Sequence, residues 1–208
     1  ETLPQAPLAL LSGPTFAEEV ALEKPTLVTL ACADEKLGKK LVETLGTSTF
    51  RPYYTPDVVS VQIGGAVKNV MAIAAGIVAG KKLGDNARAA LITRGLAEIS
   101  RLAVALGGNP QTLMGLAGLG DLVLTANSTQ SRNFTVGLEL GKGRALKDVL
   151  AGKNTVAEGV FTASAVLERA ATAGVEMPIC EGLSRIMNDG ATVDDVIATL
   201  LARPFKAE

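Results

Sequence analysis

Two patterns of apolar positions divide the chain. Over residues 1–56 the apolar residues come in short runs. Leu8-Ala9-Leu10-Leu11 is stopped by Ser12-Gly13-Pro14, and the β-branched run Thr26 to Ala31 and the run Thr47 to Tyr53 follow. Runs of this length bounded by turn residues predict strands. Between the last two, Leu37, Leu41, Val42 and Leu45 recur at helical spacing after Asp34 and stop at Gly46, which predicts a helix. Strand, helix, strand in this order predicts a parallel βαβ unit. A shorter helix is expected from Phe16 to Leu22, with Thr15 as its cap. Glu18 and Glu19 stand in its first turn, where the helix dipole favours acids.

From Asp57 onward strand signals nearly vanish. Helical spacing predicts helices over 57–81, 85–106, 110–118, 131–141, 144–151, 161–173, 178–188 and 193–202. The punctuation between them is Gly107-Gly108-Asn109-Pro110, Gly152, Gly174 and Asp189-Gly190. The chain therefore reads as mainly α: the tail of an α/β domain over 1–56, then an all-helical domain over 57–208. The longest apolar run, Val70 to Ala79, lies between Lys68 and Lys81. A membrane span needs about 20 apolar residues, so a buried core helix and no membrane span are expected. No basic patch precedes an apolar stretch at the start, so no signal peptide is expected. The opening Glu1-Thr2-Leu3-Pro4, without an initiator Met, suggests a fragment.

Composition narrows the chemistry. Hydrophobic residues make up 48% and charged residues 20%, enough for a sizeable core and too apolar for disorder. The net charge is −1, from 20 basic and 21 acidic residues, and no basic stripe appears. That argues against a nucleic-acid partner. Histidine is absent, which removes the usual base near neutral pH and the commonest metal ligand. Proton transfer must fall to Lys, Asp, Glu, Tyr or Cys, and no metal site is expected. Cys32 and Cys180 form no CxxC pair and read as reduced, buried thiols of a cytoplasmic protein.

Four segments could carry chemistry. In Gly64 to Gly76, Lys68 and Asn69 are the only strongly polar residues. Gly64, Gly65, Lys68, Ala72, Ala75 and Gly76 share a helix face, so a substrate or another backbone can approach the ammonium. Burial makes such a lysine a usable proton donor and acceptor. The same spacing also suits a lysine that snorkels to the surface above closely packed glycines. In Gly118 to Asn133, Asp121 sits in an apolar stretch and needs a partner, such as a ligand hydroxyl or Lys68. Ser131, Arg132 and Asn133 open a helix, where free N–H groups and a guanidinium fork suit a phosphate. On local grounds ordinary capping is the simpler account: Ser131 caps, Arg132 is solvated and Asp121 caps a neighbouring helix. Gly13-Pro14-Thr15-Phe16-Ala17 follows a strand, where α/β sheets bind ligands or simply turn. Thr155 to Gly159 reads locally as a helix cap around Glu158. No G-x-G-x-x-G follows a strand; Gly118-Leu119-Gly120 leads into Asp121 without a third glycine.

In this order and spacing, the four segments resemble the carboxyl-terminal part of the NAD(P)-dependent glycerol-3-phosphate dehydrogenases of bacterial type. The family's S-G-P-S/T-F-A loop stands at Ser12 to Ala17, and its G-G-A-x-K-N helix starts at Gly64. Its G-x-G-D-L … S-R-N segment runs from Gly118 to Asn133, and its V-x-E-G from Val156 to Gly159. The resemblance spans nearly the whole chain. It implies that 1–56 is the βαβ tail of a Rossmann-type domain and that NAD or NADP is the cofactor. It implies Lys68 as proton donor and acceptor, with Gly13, Thr15, Lys68, Asp121, Thr125, Ser131, Arg132 and Asn133 around the substrate. Ala17, Arg132, Val156 and Glu158 would meet the cofactor. Dihydroxyacetone phosphate and glycerol 3-phosphate are the implied small-molecule substrates, serving phospholipid precursor synthesis, and a homodimer is the expected assembly. The family's glycine-rich loop and a further substrate lysine have no counterpart in these residues. The competing expectations are a β-hydroxyacid or 6-phosphogluconate-type dehydrogenase, and a helical oligomerisation module without catalysis.

Overall fold

The first strand, β1 (Ala9–Ser12), lies antiparallel against β2 (Thr26–Cys32), with Ala9 opposite Cys32. This is a computed structural model, and it describes residues 6–151 and 158–204. The short helix α1 (Ala17–Ala21) joins these two strands. Helix α2 (Glu35–Leu45) then carries the chain to β3 (Phe50–Thr55), which pairs parallel with β2, Thr26 opposite Phe50. The sheet order is β1-β2-β3, and the predicted parallel βαβ unit is β2–α2–β3. Asp34 starts α2 by accepting from Leu37 N–H at 3.0 Å. As the central strand, β2 is buried at every residue except Leu27, which explains its run of apolar and β-branched residues.

Every further element among the described residues is a helix. Helix α3 (Val58–Gly80) is the axle. Around it pack α4 (Asp85–Ala105), α6 (Asp121–Asn127), α7 (Arg132–Gly141) and α9 (Glu158–Thr172). The short α5 (Pro110–Leu113) and α8 (Leu146–Leu150), and then α10 (Pro178–Asn188) and α11 (Val193–Leu201), complete the shell. Helix α3 is long and apolar enough to cross a membrane by length and composition, which the ten-residue apolar run did not reveal. Residues 70–78 are buried in succession, so the whole circumference of the helix meets protein. That is a core helix. Cys32 and Cys180 are both buried and unpaired.

Four glycines bring the backbones of α3 and α7 into contact. A methyl at Gly137 would overlap the Ile73 carbonyl, one at Gly76 the Phe134 carbonyl, and one at Gly141 the Ile77 carbonyl. One at Gly80 would overlap the Leu138 carbonyl and crowd the Gly141 backbone. The crossing fixes the start of α7 relative to α3.

Several expectations need correction. Thr15 does not cap α1. Its hydroxyl donates to the Gly13 carbonyl at 3.1 Å, and Phe16 holds the cap position without a side-chain bond. The third strand starts at Phe50 and not Thr47, because the Thr47 hydroxyl accepts from Thr49 and Phe50 N–H and holds a turn. The helix expected over 110–118 is only α5, followed by a π-helical turn, Leu116–Gly120. Helix α6 was not expected at all. Helix α9 is already helical at Glu158, three residues before the expected start.

Candidate functional site

Lys68 sits near the middle of α3, whose first turn is fixed by Asp57 accepting from Ser60 N–H at 3.0 Å. Its Nζ donates to Asp121 Oδ2 at 2.5 Å. Asp121 opens α6 directly after the π-helical turn, a local irregularity often found at functional sites. Thr125, one turn on, donates to Asp121 Oδ1 at 3.2 Å and to its carbonyl at 2.7 Å. The Gly13 backbone N–H stands near the Asp121 carboxylate and favours its ionised form. Gly13 has φ +155, and a Cβ there would press on the Val28 backbone, so the turn needs glycine.

One carboxylate thus joins the end of β1, α3 and α6. Asp121 is 1% exposed, and the Lys68 side chain 22%. Burial pushes the Asp121 carboxyl above the usual range. The Lys68 ammonium, the Thr125 hydroxyl and the Gly13 N–H pull against it without outweighing it. A carboxylate this deep is tolerable because it is paired and hydrogen-bonded.

The pair opens into a cavity of about 430 Å³ lined also by Leu10, Leu11, Ser12, Gly13, Thr15, Val61, Gln62, Gly65, Asn69 and Glu158. Asn69 donates to Glu158 Oε2 at 3.2 Å. Asn133 is buried, and its Oδ1 accepts from Gly159 N–H at 3.0 Å, which ties the start of α9 to α7. Glu158 therefore faces the cavity because α7 and α3 hold the first turn of α9.

The expected residues divide. Gly13, Thr15, Lys68, Asp121 and Glu158 line the cavity. Thr125 stands behind Asp121. Ser131 is buried as the cap of α7, accepting from Phe134 N–H at 3.2 Å. Arg132 is exposed at the start of α7, outside the cavity lining, with no ion pair among the described residues. Ala17 is exposed in α1, also outside the lining. Val156 lies outside the described residues. Sequence reasoning passed over Ser12, Gln62 and Asn69 as site residues. The signal was present, since 62, 65 and 69 share a helix face with 68. Among the described residues no three His, Cys, Asp or Glu side chains gather as a metal site.

Fold and site together define a helical bundle set against the end of an α/β sheet, with a lysine–carboxylate pair at the joint. Residues 57–198 match the model of the NAD-dependent glycerol-3-phosphate dehydrogenase C-terminus, and residues 1–38 that of the N-terminus. The chain belongs to the NAD-dependent glycerol-3-phosphate dehydrogenase family. The glycerol-3-phosphate dehydrogenase (NAD(P)+) of Rhodospirillum rubrum is 60% identical over 99% of this chain and 59% of its own length. That of Parvibaculum lavamentivorans is 55% identical over 100% of this chain and 62% of its own length. The chain thus spans about 60% of the curated relatives it matches. The crystal structure of glycerol-3-phosphate dehydrogenase from Coxiella burnetii superposes with a TM-score of 0.92 at 44% identity, covering 97% of this chain and 62% of that one. That of Plasmodium falciparum, at 20% identity, shares the fold with a TM-score of 0.89, covering 99% of this chain and 60% of that one.

Proposed function

We propose that this chain carries the substrate-binding and proton-transfer part of an NAD(P)-dependent glycerol-3-phosphate dehydrogenase. The reaction interconverts dihydroxyacetone phosphate and sn-glycerol 3-phosphate. The observation that carries the reading is the Lys68–Asp121 pair, buried at one end yet open to a cavity at the other. The division falls at 56/57, between the α/β tail and the helical domain.

The residues present fit a nicotinamide cofactor. Gly65 leaves a cradle in the cavity wall that a Cβ would fill, and Glu158 stands on the same wall. Ala17, Arg132, Val156 and Glu158 are the residues assigned to hold it. When bound, the nicotinamide supplies or accepts the hydride at C2 of the substrate. As charge develops on the C2 oxygen, the Lys68 ammonium stabilises it and delivers a proton. In the oxidative direction neutral Lys68 takes the hydroxyl proton. Asp121 orients Lys68 and is itself fixed by Thr125. Arg132 and Asn133, at the start of α7, hold the phosphate, so recognition of a remote group becomes orientation at C2. Ser131 acts through its cap, which sets that first turn. The enzyme on this reading works in the cytoplasm as a homodimer and feeds phospholipid precursor synthesis.

The test is substrate choice. A polypeptide of the relatives' full length should oxidise NADH or NADPH with dihydroxyacetone phosphate and not with small β-keto acids. The reverse preference removes the assignment.

A further inference from the structure

Two adjacent glycines on α3 behave differently. A Cβ at Gly64 would stand 2.7 Å from the Ala117 carbonyl, so Gly64 is required by packing. A Cβ at Gly65 would meet only Ser12 Oγ, at 3.4 Å, an ordinary contact. Glycine in a helix interior is less stable than alanine. Nothing among the described residues uses the space this glycine leaves. That space is part of the cavity beside Lys68.

The helix geometry shows what surrounds it. Val61 and Gln62 lie one turn before Gly65, and Lys68 and Asn69 one turn after, all lining the cavity. Gly65 is the floor of a notch between two pairs of side chains about 10 Å apart along the axis. The Lys68 end is charged, with Asp121 and Glu158 nearby. The Gln62 end is neutral, walled by Leu10 and Val61. No hydrogen bond engages the Gln62 amide among the described residues, and its side chain is exposed. The phosphate-bearing substrate reacts at the charged end, with its C2 oxygen at Lys68. A small substrate of that kind leaves most of 430 Å³ unfilled.

Resting on the function proposed above, we infer that the Gly65 notch seats the nicotinamide ring and that Gln62 reads its carboxamide. A flat ring fits a floor without a side chain. A primary amide offers one donor and one acceptor, which pair with those of Gln62. Gly65 and Gln62 are then specificity determinants for the ring, separate from whatever holds the adenosine half.

The experiment titrates NADH and ADP-ribose, which lacks the nicotinamide, into the full-length enzyme and its Gly65→Ala and Gln62→Ala variants. Gly65→Ala should keep or raise the thermal midpoint and weaken NADH by about tenfold or more, while ADP-ribose binds as before. Gln62→Ala should weaken NADH about fivefold and lose the preference for NADH over its 3-acetylpyridine analogue. Gly64→Ala, the packing control, should lower the thermal midpoint. Unchanged NADH binding in both notch variants overturns the inference. So does equal loss of NADH and ADP-ribose, which would assign the space to packing. If the wild type binds NADH but leaves dihydroxyacetone phosphate unreduced, the substrate assignment fails and the titration still decides the notch.

Discussion

Glu98 is a buried acid outside the cavity lining, 2% exposed on α4. Its carboxylate accepts from Ile179 N–H at 2.8 Å and lies 3.4 Å from Cys180 N–H, so it caps α10, whose own cap residue Met177 offers no side-chain bond. Burial lifts it to about 7, against the pull of those N–H groups and of Arg101. An unfolded glutamate titrates at about 4.3. The group therefore costs the fold nothing in acid. The cost grows as pH rises between these two values and is complete above 7, at roughly 2–4 kcal/mol. Glu98→Gln removes the ionisation and keeps an acceptor for Ile179. Its stability relative to wild type should rise between about pH 4 and pH 8. Denaturant curves that stay parallel across that range would contradict the assignment. Cys180, against the same carboxylate, has its thiol pushed well up by burial and then by Glu98. It is an inert structural thiol.

Among the elements, the crossing of α3 and α7 matters most to the site, because Lys68 rides on one helix and Arg132 and Asn133 on the other. Backbone against backbone leaves no side chain to yield. Gly137→Ala should cost about 3 kcal/mol or more, since the added methyl meets the Ile73 carbonyl. A thermal midpoint within a degree or two of wild type would show that the helices can separate freely. Regular elements such as β2, α2, α3 and α10 were legible because their apolar spacing is regular and their ends carry turn residues. The segment 115–127 was not. Gly115, Gly118 and Gly120 imitate a loop, and the π-helical turn shifts the register, so no 3.6-residue repeat survives into α6. The start of β3 was misplaced because β-branched Thr47 and Thr49 look like strand while their hydroxyls build a turn.

For the whole molecule, the joint between sheet and bundle is also the site. Asp121 pairs with Lys68 inside the bundle and stands against Gly13 of the sheet, so the pair marks the place where the two parts meet. Sequence motifs reached Lys68, Asp121, Gly13 and Glu158 because their segments are short and ordered. They could not show that Arg132 lies outside the cavity lining while Asn133 turns inward to α9, since both share one motif. Nor could they separate Gly64 from Gly65, which differ only in what stands above them. The central claim is that Lys68 carries the proton. Lys68→Met leaves Asp121 without its cation, but burial already favours the protonated acid, so the fold should survive. The direct measurement is turnover of dihydroxyacetone phosphate by the full-length Lys68→Met enzyme at saturating NADH. Turnover about 10²–10⁴-fold below wild type, with NADH affinity and thermal midpoint retained, is the predicted result. Turnover within a few-fold of wild type would contradict the account.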